Sequence, residues 1–145
     1  MAVILDLHWV EDGKQSPMAD KKSIDFWREV ATQYKNFGTV IFELYNEPVG
    51  IDSATWQQGN ATYAGYQELY DAVRNTGAKN LVICNGLQWG YDLSFVNSNF
   101  EIMGENIVYG SHPYNRVRSE FPQNFTGVIN RKPIIFTEFG VNQHF

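Results

Sequence analysis

Thr39-Val40-Ile41-Phe42-Glu43-Leu44-Tyr45-Asn46-Glu47-Pro48 is an apolar run, rich in β-branched and aromatic residues, that ends abruptly on polar ones. Near-continuous hydrophobicity over so short a span suits a strand buried on both faces, as a parallel sheet requires. Pro48 cannot donate to a ladder, so the strand stops there and leaves the Glu47 carboxylate at its C-terminal end. Four further runs share this character, at residues 3–9, 80–84, 107–111 and 133–139. With 39–45 they make five strands. A strand-helix-strand unit needs roughly 30 residues, so each gap has room for one crossover helix.

The gaps carry helical signals. Ser23 can cap a helix whose apolar stripe is Ile24, Trp27, Val30, Ala31 and Tyr34, with Gly38 as its stop. Residues 63–75 place Tyr66, Leu69, Tyr70 and Val73 on one face, with Gly77 beyond. Residues 93–100 support at most a short helix, and the helix expected over 119–130 is interrupted early by Pro122. Alternating strands and helices give the α/β class with a parallel sheet.

An open doubly wound sheet and a (β/α)8 TIM barrel compete for this pattern. No Gly-rich phosphate loop follows any strand, which removes the usual mark of a nucleotide-binding open sheet. Four strand ends instead carry polar residues: Asp6 and His8, Asn46 and Glu47, His112 and Tyr114, and Glu138. Barrel enzymes build their sites there. A complete barrel takes about 250 residues, so the expectation is a partial barrel with about five of its eight strands. Residues 1–145 are then one partial catalytic domain. Met1 leads straight into a core strand without the basic start of a signal peptide, as a segment of something larger would.

Composition narrows the function. A net charge of −5 argues against nucleic-acid and anionic-membrane partners. No apolar run approaches the roughly 18 residues that span a bilayer. The single cysteine, Cys84, excludes an internal disulfide framework, and its place in mid-strand makes it an inert buried thiol. Four Trp, eight Tyr and ten Phe give 15% aromatic residues, enough for some rings to serve outside the core.

The two glutamates carry the chemistry. Glu138 closes the last strand in Thr137-Glu138-Phe139-Gly140, at the same sheet end as Glu47. Two carboxylates facing one another across a barrel mouth can hydrolyse glycosidic bonds, one as acid/base and one as nucleophile or base. The plainer alternative is a pair of solvated loop acids. Glu43 shares the face of Glu47 in a regular strand, so it points inward and holds a neighbour in place or is simply a hydrogen-bonded interior acid. His8 and His112 sit at strand ends beside the glutamates; His144 lies in the tail and carries no role. Trp9, Trp56, Trp89 and Tyr91 lie in or near loops on this side, where rings can stack on sugars, and Trp89 is the best placed. Trp27 belongs to the core. The sequons at Asn60 and Asn124 arise too often by chance to count.

Residues 4–9, 42–48, His112-Pro113-Tyr114 and residues 135–140 together resemble glycoside hydrolase family 5, the cellulase family of retaining barrel enzymes. The resemblance spans essentially the whole chain. It implies that Glu47 is the general acid/base, Glu138 the nucleophile, and Asn46 the partner of the sugar 2-hydroxyl. It also implies that His112 lies near the acid/base, that Tyr114 orients toward the nucleophile, and that His8 ends the third barrel strand. The five strands are then the third to seventh, and the family's Arg on the second strand and Trp after the eighth have no counterpart here. A β-linked polysaccharide substrate, a secreted parent and the absence of any cofactor follow from the same resemblance. Two other readings stand beside it: a non-catalytic carbohydrate-binding barrel fragment, and a metal-dependent hydrolase using Asp6, His8, His112 and a Glu. The second lacks a His-x-His or His-Glu-x-x-His spacing. Open sheet edges make self-association an expectation too.

Overall fold

The structure, a computed structural model, describes residues 1–9, 14–96, 99–114 and 118–140. Five parallel strands form one sheet: β1 (Val3–Asp6), β2 (Val40–Glu43), β3 (Val82–Asn85), β4 (Ile107–Gly110) and β5 (Ile134–Ile135). Their spatial order is their chain order. A doubly wound sheet reverses direction at a switch point; this one never does, and it winds like the wall of a barrel. The register pairs Asp6 with Glu43 and Asn85 with Gly110, so the polar strand ends stand level.

Helices α1 (Ser23–Tyr34), α2 (Ser53–Gln58), α3 (Tyr66–Arg74), α4 (Leu87–Gly90) and α5 (Phe121–Ile129) fill the crossovers. The core lies between the sheet and this layer. Trp27 and Ala31 of α1 are fully buried, and the Trp27 indole packs 5.5 Å from the Phe42 ring and donates to the Leu44 carbonyl at 2.9 Å. The stripe expected on the second helix is the buried face of α3, where Tyr66, Leu69, Tyr70 and Val73 are all buried.

Four local readings are corrected. Ser23 is the first residue of α1 rather than its cap: Asp20 Oδ1 accepts from both its backbone N–H at 3.0 Å and its hydroxyl at 2.9 Å. Pro122 does not interrupt α5 but sits second in it, where the missing N–H has no intrahelical acceptor to lose. No helix forms among the described residues of 93–100; the chain instead makes the short turn α4, with positive φ at Gln88, Trp89 and Gly90, directly after β3. Helix α2 was not expected at all. Its six residues are too few to show a period, and what holds it is Asp52, which accepts from Thr55 N–H at 2.7 Å, together with the burial of Trp56. No described helix is long and apolar enough to cross a membrane.

Candidate active site

The strand ends bring together most of the residues singled out by sequence. Glu43, the last residue of β2, is 4% exposed, and a carboxylate so placed must be met by donors. Its Oε1 accepts from Asn85 Nδ2 at 2.6 Å and from the Thr137 hydroxyl at 2.8 Å, and lies 3.6 Å from His112 Nε2. Four residues on, Glu47 accepts or shares a proton with His112 Nδ1 at 3.0 Å. The other ring nitrogen of His112 lies 2.9 Å from Thr137 Oγ1. Glu138, one residue beyond Thr137, accepts from the Tyr114 hydroxyl at 3.1 Å and has Oε2 3.9 Å from His112 Nδ1. One carboxylate oxygen of Glu47, one of Glu138 and a ring nitrogen of His112 all lie within 4.8 Å of one another.

Beside this cluster, Asp6 and His8 pair at 2.6 Å, and His8 Nε2 lies 3.5 Å from Asn46 Nδ2. Asn46 is buried and its Oδ1 has no hydrogen-bond partner among the described residues.

The electrostatics follow from the crowding of carboxylates. Burial works against a charged His112, yet the Glu43 and Glu47 carboxylates beside its two ring nitrogens and the charge of Glu138 outweigh it and raise its pKa to about 9. Burial works against Glu43 ionisation as well, but the His112 ring beside it and donors from Asn85 and Thr137 hold its pKa below the ordinary value. Asp6 goes the other way: burial first, then the Glu43 charge, push it up to about 6 against the opposing contact with His8. Of the metal ligands considered from sequence, Asp6 and His8 pair with each other, while His112 stands with Glu47 and Glu138.

The cellulase family model, glycosyl hydrolase family 5, matches residues 1–144. The chain belongs to this family. Among relatives, an endoglucanase of Clostridium saccharobutylicum is 29% identical over 79% of this chain and 24% of its own length. Cellulase CelDZ1 of a Thermoanaerobacterium species is 26% identical over 99% of this chain and 40% of its own. Among solved structures, the native beta-glucanase SdGluc5_26A from Saccharophagus degradans superposes with a TM-score of 0.80 at 26% identity, covering 99% of this chain and 48% of that one. XacCel5A, solved in complex with cellopentaose, gives a TM-score of 0.74 at 26% identity over 99% of this chain and 54% of its own. The chain thus spans about half the length of these structures and less than half of the curated relatives. Its five strands are part of the family 5 (β/α)8 barrel.

Around this cluster, the aromatic residues divide differently from expectation. Trp56 is fully buried, packed between Tyr66, Phe95 and Tyr109, and its indole donates to the Asn85 carbonyl at 2.8 Å. Tyr91 is buried against Phe125. Neither is free to meet a sugar, because both are wanted by the core beneath the site. Trp89 and Trp9 remain half exposed, the latter edge-on to the His8 ring at 4.9 Å. Trp89 sits on an unusual piece of backbone: Gln88, Trp89 and Gly90 have φ of 55°, 63° and 72°. This left-handed turn is tied to the site at both ends, with Trp89 N–H donating to the Pro48 carbonyl and His112 N–H to the Gly90 carbonyl, each at 3.1 Å. Cys84 is buried as expected, and Asn124, buried and bonded to Leu93 and Tyr91, is closed to modification. His144 lies outside the described residues.

Three contributors escaped sequence reasoning. Asn85 and Thr137 have unremarkable side chains whose importance comes only from meeting Glu43, and Gly90 is needed because a Cβ there would stand 2.8 Å from His112 Nδ1.

Proposed function

We propose that residues 1–145 are a partial catalytic domain of a retaining endo-β-glycanase, with Glu138 as nucleophile and Glu47 as acid/base. The observation that carries this reading is the approach of a Glu47 oxygen to within 4.8 Å of a Glu138 oxygen, each carboxylate having its own orienting partner. Double displacement calls for carboxyl groups ~5–5.5 Å apart, whereas inversion needs roughly 6.5–9.5 Å to admit a water. A glucan substrate is supported by the cellopentaose complex of XacCel5A and the cellotetraose complex of SdGluc5_26A.

In the first step a Glu138 oxygen bonds to the anomeric carbon, the glycosidic C–O bond breaks, and Glu47 gives its proton to the departing oxygen. In the second, Glu47 takes a proton from water, the resulting hydroxide displaces Glu138, and the carboxylate is regenerated. Tyr114 donates to Glu138 before attack and steadies its orientation. Asn46 and His8 lie beside Glu47 and meet the sugar hydroxyls, and Trp89 offers a ring face to a neighbouring sugar.

The test is Glu47→Ala. The variant should lose far more activity on natural β-glycans than on aryl glycosides with good leaving groups, which need no acid. Added azide should restore turnover and yield a β-glycosyl azide. Equal losses on both substrates, with no azide product, would remove Glu47 from the role.

A further inference from the structure

The buried carboxylate of Glu43 and the hydroxyl of Thr137 stand in an unbroken line with Glu47 through the His112 ring. Thr137 has one hydroxyl hydrogen, and it is directed to Glu43 Oε1 at 2.8 Å. The oxygen can then only accept at its remaining contact, His112 Nε2, 2.9 Å away. A hydrogen therefore resides on Nε2 whatever the charge of the ring. Nδ1 is left as the nitrogen that faces Glu47 Oε1 at 3.0 Å.

We propose that Glu43 and Thr137 are positioning residues that hold the proton on Nε2 of His112 and so commit Nδ1 to exchanging a proton with Glu47. The inference rests on the proposed role of Glu47. When Glu47 bears its proton and the ring is neutral, Glu47 donates to Nδ1; when Glu47 has given that proton to the leaving group, the ring has a lone pair and no proton to return. When the ring is cationic, Nδ1–H donates to the Glu47 carboxylate. The proton on this contact belongs to the pair rather than to either residue.

The anchor is rigid. Asn85 Nδ2 donates to Glu43 Oε1 at 2.6 Å and to the Asn46 carbonyl at 2.7 Å, which ties the interior acid to the residue before Glu47. Asn85 fits because Gly110, its partner in the register, leaves open the space a Cβ would fill, 1.6 Å from Asn85 Oδ1. The charged groups facing the ring are Glu43, Glu47 and Glu138, with Asp6 behind Glu43. Of these, Glu43 is the most deeply buried and the least screened.

The test reads the ring itself. The chain has three histidines, so long-range 1H–15N correlation can follow His112 through a pH titration of the intact protein. In the wild type it should show a hydrogen on Nε2 throughout and stay cationic to about pH 9. Thr137→Val keeps the shape and removes the hydroxyl, and its His112 midpoint should fall by about one unit, with loss of the fixed Nε2 tautomer. Thr137→Ser should restore both, a rescue that mere packing would not give. Glu43→Gln should lower the midpoint by at least as much; Thr137→Val keeps the question open to measurement should that buried substitution unfold the chain. Midpoints and tautomers unchanged in Thr137→Val would overturn the proposal. No glycan enters this experiment, so failure of the glycanase reading would show separately, as an intact His112 response in a chain whose Glu47 variants have no effect on hydrolysis.

Discussion

Gly90 tests how tightly the left-handed turn is fitted to the site. Replacing it with alanine adds a Cβ 2.8 Å from His112 Nδ1, 3.0 Å from Cγ and 3.3 Å from the Asn46 carbonyl oxygen. It also asks an L-residue to hold φ +72°. The backbone part costs about 1–2 kcal/mol, and forcing a methyl into filled space typically costs another 1–3 kcal/mol, for a total of about 2–5 kcal/mol. Gly50 supplies the control, because its φ is +68° and nothing lies within 4 Å of its Cβ position. Gly50→Ala should show the backbone cost alone. Urea unfolding of the two variants, read as a difference in stability at constant m-value, separates conformation from contact. The His112 resonances should move in Gly90→Ala and stay in place in Gly50→Ala. A Gly90→Ala variant no less stable than Gly50→Ala would mean that the turn does not press on His112, and the packing argument would fail.

Other consequences are as direct. The His112 pKa is raised in the folded chain, so its stabilising contribution is whole below the unfolded value of 6.5 and is lost as pH rises through about 9. Unfolding free energy should therefore fall by at most about 3 kcal/mol over that interval, and His112→Gln should flatten the decline. Trp56→Ala should cost about 3–5 kcal/mol in urea unfolding, because a fully buried ring and its bond to Asn85 are lost together. Trp89→Ala, at a residue 51% exposed, should leave stability within about 0.5 kcal/mol while raising KM for long glycans; an unchanged KM would remove it from the substrate. The outer strands β1 and β5 each have an edge without a strand partner among the described residues, and Val3, Ile4, Phe136 and Phe139 are exposed beside them. Light scattering should accordingly find self-association that grows with concentration, and a monodisperse monomer would contradict this.

The strands were legible because each is a short apolar run closed by a polar residue, and parallel strands put all such closures at one end. That is why Glu47, His112, Tyr114 and Glu138 could be placed together before any geometry was known. Helices α1 and α3 were legible because they run long enough for their stripes to repeat. The failures have physical causes. Helix α2 is held by a cap and one buried tryptophan, neither of which leaves a period. The left-handed turn uses Gln88 and Trp89, residue types that give no local sign of positive φ. Whether a ring such as Trp56 faces solvent or core depends on what packs over it, and that is set by α3 and β4, far away in sequence. Asn85 and Thr137 matter through the way the strands align, which brings an amide at the end of β3 and a hydroxyl just past β5 to the Glu43 carboxylate at the end of β2.

The central claim, that Glu138 is the nucleophile of a double displacement, is tested most directly by trapping the covalent intermediate. An activated 2-deoxy-2-fluoro β-glycoside should accumulate on the protein even where turnover is slow, since only the first step is required. Peptide mapping by mass spectrometry should find one sugar on the peptide carrying Glu138, and none in Glu138→Gln. A label on Glu47, or on any other residue, would contradict the account.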